Sequence, residues 1–181
     1  MLKVCWDCLF GNGQQTEVVN GTALNGHTVG SIAQRENEMA YKIPRPLQNE
    51  DVIEVKGLMR SNPERICIAL MTGQYNIDYN NVACEVEARF IDGDNMVLRT
   101  IVNGQMDEQV LERERPSDLL PVAEFTFAFK LVQDYNSDRI EIAIGQSHLA
   151  EVDLKHSFQD ISYVTLSHDI LKVNELIFKF N

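Results

Sequence analysis

From residue 52 to the end, apolar and polar positions alternate with a period of two over short runs. These are VIEVKG at 52–57, RICIALMTG at 65–73, NVACEVEARF at 81–90, MVLRTIV at 96–102, EFTFAFKLV at 124–132, RIEIAIG at 139–145, then SYVTLS and ELIFKF near the end. Successive side chains of a strand point to opposite faces, so each run reads as a strand with one face toward a core. Phe125, Phe127, Phe129 and Leu131 line one such face, and Ile140, Ile142 and Ile144 another. Asn62-Pro63, Asp92-Gly93 and Asn103-Gly104 supply turn chemistry between runs. No stretch keeps a helical period over useful length. Many short antiparallel strands with no long helix predict an all-β fold, a two-sheet antiparallel β-sandwich.

The run at 81–90 sorts its side chains most cleanly. Strict alternation gives Val82, Cys84, Val86, Ala88 and Phe90 one face and Ala83, Glu85, Glu87 and Arg89 the other. The first face wants a core. The second sets two carboxylates and a guanidinium in a row, which predicts one wall of a solvated groove on the sheet and marks the candidate site.

Composition sharpens this picture in a few places. With 181 residues, 44% of them hydrophobic, the chain suits one domain with a buried core. Residues 1–40 are rich in Gly, Asn and Ser and lack periodicity, so they read as a flexible N-terminal extension, with the compact domain over 41–181. A formal net charge of -11 repels phosphate backbones and anionic membranes, which argues against nucleic acid as a partner. No run approaches the roughly 20 consecutive apolar residues of a membrane-spanning helix, so membrane insertion is not expected. The opening MLKVCWDCLF is too short and polar for a signal peptide, so the expected location is cytoplasmic. The Asn20-Gly21-Thr22 glycosylation triplet is then unused. Cys67 and Cys84 sit in apolar strand patterns and read as small buried hydrophobes. Cys5 and Cys8 have redox or metal spacing, but a Gly-containing polar stretch follows them and His27 is the only nearby histidine. Neither a metal site nor a cofactor motif emerges. Asp160 and Asp169 read as loop and turn residues.

Several of these runs, in this order, resemble the galectin family of β-galactoside-binding lectins. VIEVKGLMRSNPERICIALMTG is similar to that family's opening strand pair, and NVACEVEARF to its Asp-Val-Ala-x-His-x-Asn-Pro-Arg-Phe strand. EFTFAFKLV with RIEIAIGQSHLAEVDLKH resembles its later strands, with His148 and His156 where the family also carries histidines. The resemblance covers roughly residues 43–181. It implies a jelly-roll-like sandwich with the sugar lying across one sheet, a glycan or glycoconjugate as partner, no enzymatic activity, and export without a signal peptide as an alternative to a purely cytoplasmic life.

The same resemblance implies the groove residues. On the central strand Arg89 matches, while Glu85 holds the family's His position and Glu87 its Asn position. The next strand's Asn position falls on Thr100 or Ile101. The family's Trp-Gly-x-Glu-x-Arg strand has two registers here. Anchoring on Asn103-Gly104 gives Met106, Gln109 and Leu111, whereas counting back from EFTFAF gives Glu108, Leu111 and Arg113. Neither supplies the indole that stacks on galactose, because the sole tryptophan is Trp6.

Sugar hydroxyls contribute on the order of 1 to 3 kcal/mol per hydrogen bond to such partners, so the missing contacts imply weak or lost binding of ordinary β-galactosides. Two other readings stand beside this one. An acidic groove would suit a basic protein partner through charge complementarity, making the domain an interaction module. Glu85 and Glu87, roughly 6.5 to 7 Å apart on one face, also have the spacing of a glycoside hydrolase pair. Arg89 beside them would lower both pKa values, against the needs of a general acid.

Overall fold

A computed structural model of the chain describes residues 2–4, 37–91, 93–135 and 137–181. Cys5, Trp6, Cys8, Asn20 and His27, and with them most of the expected extension, lie outside the described residues. The strands are β1 (Leu2–Val4), β2 (Met39–Lys42), β3 (Val52–Met59), β4 (Arg65–Thr72), β5 (Val82–Arg89), β6 (Asn95–Val102), β7 (Gln105–Leu111), β8 (Glu124–Gln133), β9 (Asp138–Ile144), β10 (Ser147–Asp153), β11 (Ile161–His168) and β12 (Ile170–Lys179). A single turn of helix, α1 (Pro116–Leu119), and a 3-10 turn at Phe158–Asp160 complete the described elements.

The strands form two six-stranded sheets, ordered β1-β12-β3-β8-β9-β10 and β2-β11-β4-β5-β6-β7, with every pairing antiparallel. The expected sandwich is therefore the observed one. Its centre is the apolar face of each alternating run: Ile53 and Val55, Phe125, Phe127, Phe129 and Leu131, Ile140 and Ile142 from the first sheet meet Ile66, Ile68, Leu70, Cys84, Val86, Ala88, Met96 and Leu98 from the second. Gly57 marks how closely the first sheet packs, since a Cβ there would lie 2.5 Å from the Lys172 carbonyl oxygen and from the Phe125 ring.

Two local features set the register of the second sheet. Asn103 (φ 51°) and Gly104 (φ 78°) both take left-handed conformations, the requirement of a two-residue hairpin turn. The turn makes Val102 and Gln105 partners and fixes every pair beyond them, including Ile101 with Met106 and Arg99 with Glu108. At the start of β5, Val82 pairs with Met71 while Cys84 pairs with Leu70, so one extra residue, Ala83, is inserted as a bulge. This corrects the strict alternation. Ala83 joins Cys84 in the main core, and Val82 turns outward into a second cluster with Ala69, Met71 and Ile101. Both cysteines of these strands are buried, as expected, and burial pushes the pKa of Cys84 up.

Candidate functional site

Beyond the bulge, β5 alternates as expected, and Glu85, Glu87 and Arg89 face away from the main core. Cross-strand pairing lays out rows on this outer face. One row runs Thr165, Ala69, Glu85, Arg99, Glu108, and the next Ser167, Cys67, Glu87, Val97, Val110. The small side chains of Ala69 and Cys67 leave the longer groups of β5, β6 and β7 to meet one another.

They meet as an ion-paired cluster centred on Arg99. Its Nη1 donates to Glu85 Oε1 at 2.7 Å and to Glu87 Oε2 at 2.5 Å, and its Nε donates to Glu108 Oε2 at 2.6 Å. Arg89 Nε donates to the other oxygen of Glu87 at 2.5 Å, and its Nη2 lies 3.8 Å from Glu108. The cluster is not the solvated wall that the alternation suggested. Side-chain exposure is 4% for Glu85, 7% for Glu87 and 12% for Arg99, rising to 28% at Arg89 and 38% at Glu108.

Electrostatics follow from this geometry. Burial alone would push the Glu87 carboxyl up, but hydrogen bonds from Arg99 and Arg89 outweigh it and hold the group below the usual carboxylate range. Burial likewise disfavours a charged Arg99, and hydrogen bonds to Glu87, Glu108 and Glu85 more than reverse that, so its pKa is raised. Three carboxylates and two guanidinium groups leave the cluster one negative charge. The row is thus neither unpaired nor strongly acidic. Glu87 is also shifted in the direction opposite to that of a raised general acid.

The other sequence candidates separate. Met106 lies on the outer face and is 55% exposed. Thr100 and Gln109 do not share that face. They line a recess beneath it with Asp107, Glu151, Val152, Asp153 and Lys155. Leu111 is half-buried against the main core, and Arg113 falls beyond the end of β7 in an exposed turn. Neither register proposed for residues 100–113 matches the sheet, because on β7 the outer positions are Met106, Glu108 and Val110. Arg99 was missed altogether. Its signal lay in the alternation of MVLRTIV, where Met96 and Leu98 claim the core and leave Arg99 opposite a glutamate.

Further residues have structural partners. His156 Nε2 lies 2.9 Å from the Ile101 carbonyl oxygen. Asp169 Oδ2 accepts from the backbone N–H groups of Glu64 and Arg65, closing the turn before β4. Among the described residues no group of three or more His, Cys, Asp or Glu side chains is arranged to hold a metal ion, and no helix is long and apolar enough to cross a membrane.

The family model of the galactoside-binding lectins matches residues 38–176, which takes in β2 through most of β12. The chain belongs to the galectin family. No curated protein sequence matches it. Among solved structures, sheep galectin-11 in complex with glycerol superposes with a TM-score of 0.61 at 12% identity, covering 81% of this chain and 100% of that one. The toad ovary galectin in complex with thio-digalactose gives 0.60 at 17% identity, covering 81% and 100%. Caenorhabditis elegans galectin LEC-6 gives 0.58 at 15% identity, covering 80% and 91%. At these identities the likeness is one of fold. This galectin therefore has the family's sandwich and its carbohydrate-binding domain type, while the groove residues are its own.

Proposed function

We infer that this galectin binds ordinary β-galactosides weakly or not at all, and that its natural ligand is a glycan or glycoconjugate of another kind. The observation that carries the reading is the placement of Arg99, which occupies the carboxylates of Glu85, Glu87 and Glu108 from the middle of the groove. Measured against the family pattern, Arg89 keeps the Arg position of the central strand, Glu85 and Glu87 replace His and Asn, and Arg99 replaces the Asn of the next strand. With Glu108 at the Glu position of the following strand, Val110 takes its Arg position and Gln105 its Trp position. Two of the seven contacts remain, and the stacking surface is not among them.

A galactose hydroxyl entering here competes with charge-assisted hydrogen bonds, each worth about 1.5 to 3 kcal/mol. It gains no aromatic face in return. Calorimetric titration with lactose is expected to give a dissociation constant no tighter than millimolar, or about -4 kcal/mol, and micromolar binding would refute the reading. A glycan array run beside it identifies the sugar that the groove does accept.

A further inference from the structure

Among the described residues the two sheets present four edges, and three of them are protected. β1 and β2 are short, three and four residues long, and β10 is broken by a register shift between His148 and Ala150. Short strands and bulges are the usual means by which an edge is kept from pairing with another chain. β7 has neither. Its seven residues pair with β6 in unbroken register, it holds no proline or lysine, and all but Leu111 are exposed.

The hairpin turn determines which groups that edge offers. Because Val102 and Gln105 close a two-residue turn, the hydrogen-bonded pairs with β6 fall at Gln105, Asp107, Gln109 and Leu111. The N–H and C=O groups of Met106, Glu108 and Val110 therefore point outward, toward a strand that would lie about 4.8 Å away. Met106 and Val110, 55% and 42% exposed, supply apolar side chains on the outer face with Glu108 between them. On the other face Asp107 stands over the recess shared with Glu151, Asp153 and Lys155, where carboxylates outnumber the one ammonium. An added strand therefore meets apolar side chains on its outer face and carboxylates on the other.

We propose that the β7 edge is a docking site for an extended cationic segment of a partner protein, which adds a seventh strand to the second sheet. The segment alternates so that its apolar residues cover Met106 and Val110 on the outer face while lysine or arginine on its other face meets the Asp107 recess. Main-chain hydrogen bonds supply affinity and the alternate side chains supply selectivity, as in other cases of strand addition. A second copy of this chain does not fit as the occupant. Antiparallel self-pairing centred on Glu108 sets that carboxylate against its own copy, an arrangement that destabilises a sheet. The net charge of -11 adds long-range attraction for a cationic partner. Glu108 and Val110 also belong to the groove, but the added strand is held by the outward main-chain groups of the edge whatever sugar the groove takes.

The test uses the full chain and a fluorescein-labelled, end-capped octapeptide of alternating lysine and valine, read by fluorescence anisotropy. Saturable binding is expected, lost with the glutamate–valine counterpart and with the peptide N-methylated on alternate residues. Val110→Pro removes an outward N–H without touching the β6 ladder, and Val110→Lys installs an edge charge. Each should weaken binding roughly tenfold, about 1.4 kcal/mol, and Val110→Lys carries the test if the proline variant unfolds. Absence of saturable binding, binding indifferent to both substitutions, or a sedimenting dimer that Val110→Lys dissociates would overturn the proposal.

Discussion

Both sheets carry charged side chains on their outer faces, and in sequence the two look alike. VIEVKG on β3 places Glu54 and Lys56 outward with the same alternation that CEVEAR gives Glu85, Glu87 and Arg89 on β5. On β3 the groups pair with Glu175 and Lys179 across β12, at 2.6 to 3.3 Å, with side-chain exposures between 15% and 39%. On β5 the pairs gather around one guanidinium that is 12% exposed. Exposed pairs of the first kind contribute about 0 to 1 kcal/mol, because water screens them and long side chains lose entropy. Buried pairs of the second kind have paid a desolvation cost that only complete pairing offsets, so losing one partner is costly. The difference is burial, not charge pattern, and it separates a solvated surface from a closed site.

The largest break in this comparison is Arg99→Leu. It leaves Glu85 without the guanidinium bonded to it and Glu87 with Arg89 alone, and is expected to cost about 3 to 5 kcal/mol, measured by urea unfolding. A loss within about 1 kcal/mol would mean that the cluster is as solvated as the β3 face.

Acid comes next. The folded-state pKa of Glu87 is depressed, so its contribution is whole above the ordinary value of 4.5 and is lost as pH falls through the depressed one. Stability should therefore decline below about pH 4.5, and Glu87→Gln should flatten that limb of the profile. An unchanged limb would place the titrating groups elsewhere. Glu54 is also held down, first by Lys179, so a variant at that position is the control from the exposed face.

The smallest effect is on the β3 face itself. Lys56→Ala should change stability by no more than about 0.5 kcal/mol and by less still in high salt, and a larger salt-insensitive loss would dissolve the contrast.

How far the sequence foretold this site depends on how each strand's phase is set. β8 and β9 alternate Phe and Ile with polar residues, and their core faces were legible. On β5 the bulge at Ala83 was hidden because Val82 and Ala83 are both apolar, so neither residue betrays the reversal. On β7, Met106-Asp107-Glu108-Gln109-Val110-Leu111 puts apolar and polar side chains in both phases, and alternation decides nothing there. What fixes that strand is the two-residue turn at Asn103-Gly104, which binds Gln105 to Val102 and hence Glu108 to Arg99. Reading the preceding strand's Asn position at Thr100 or Ile101, and the family's Trp-Gly-x-Glu-x-Arg spacing from Met106 or from Glu108, places the site at Thr100, Gln109 or Arg113, away from the residues that meet. Burial of the cluster was not legible at all, since it arises from the convergence of three strands on one guanidinium.

A double-mutant cycle between Arg99 and Glu85, each replaced by Leu alone and together, tests the closed ionic cluster most directly when set beside the same cycle for Lys56 and Glu175. Urea unfolding of the four proteins in each cycle should give a coupling of about 2 kcal/mol or more for Arg99 with Glu85, and under about 0.5 kcal/mol for Lys56 with Glu175. Equal couplings in the two cycles would contradict the account.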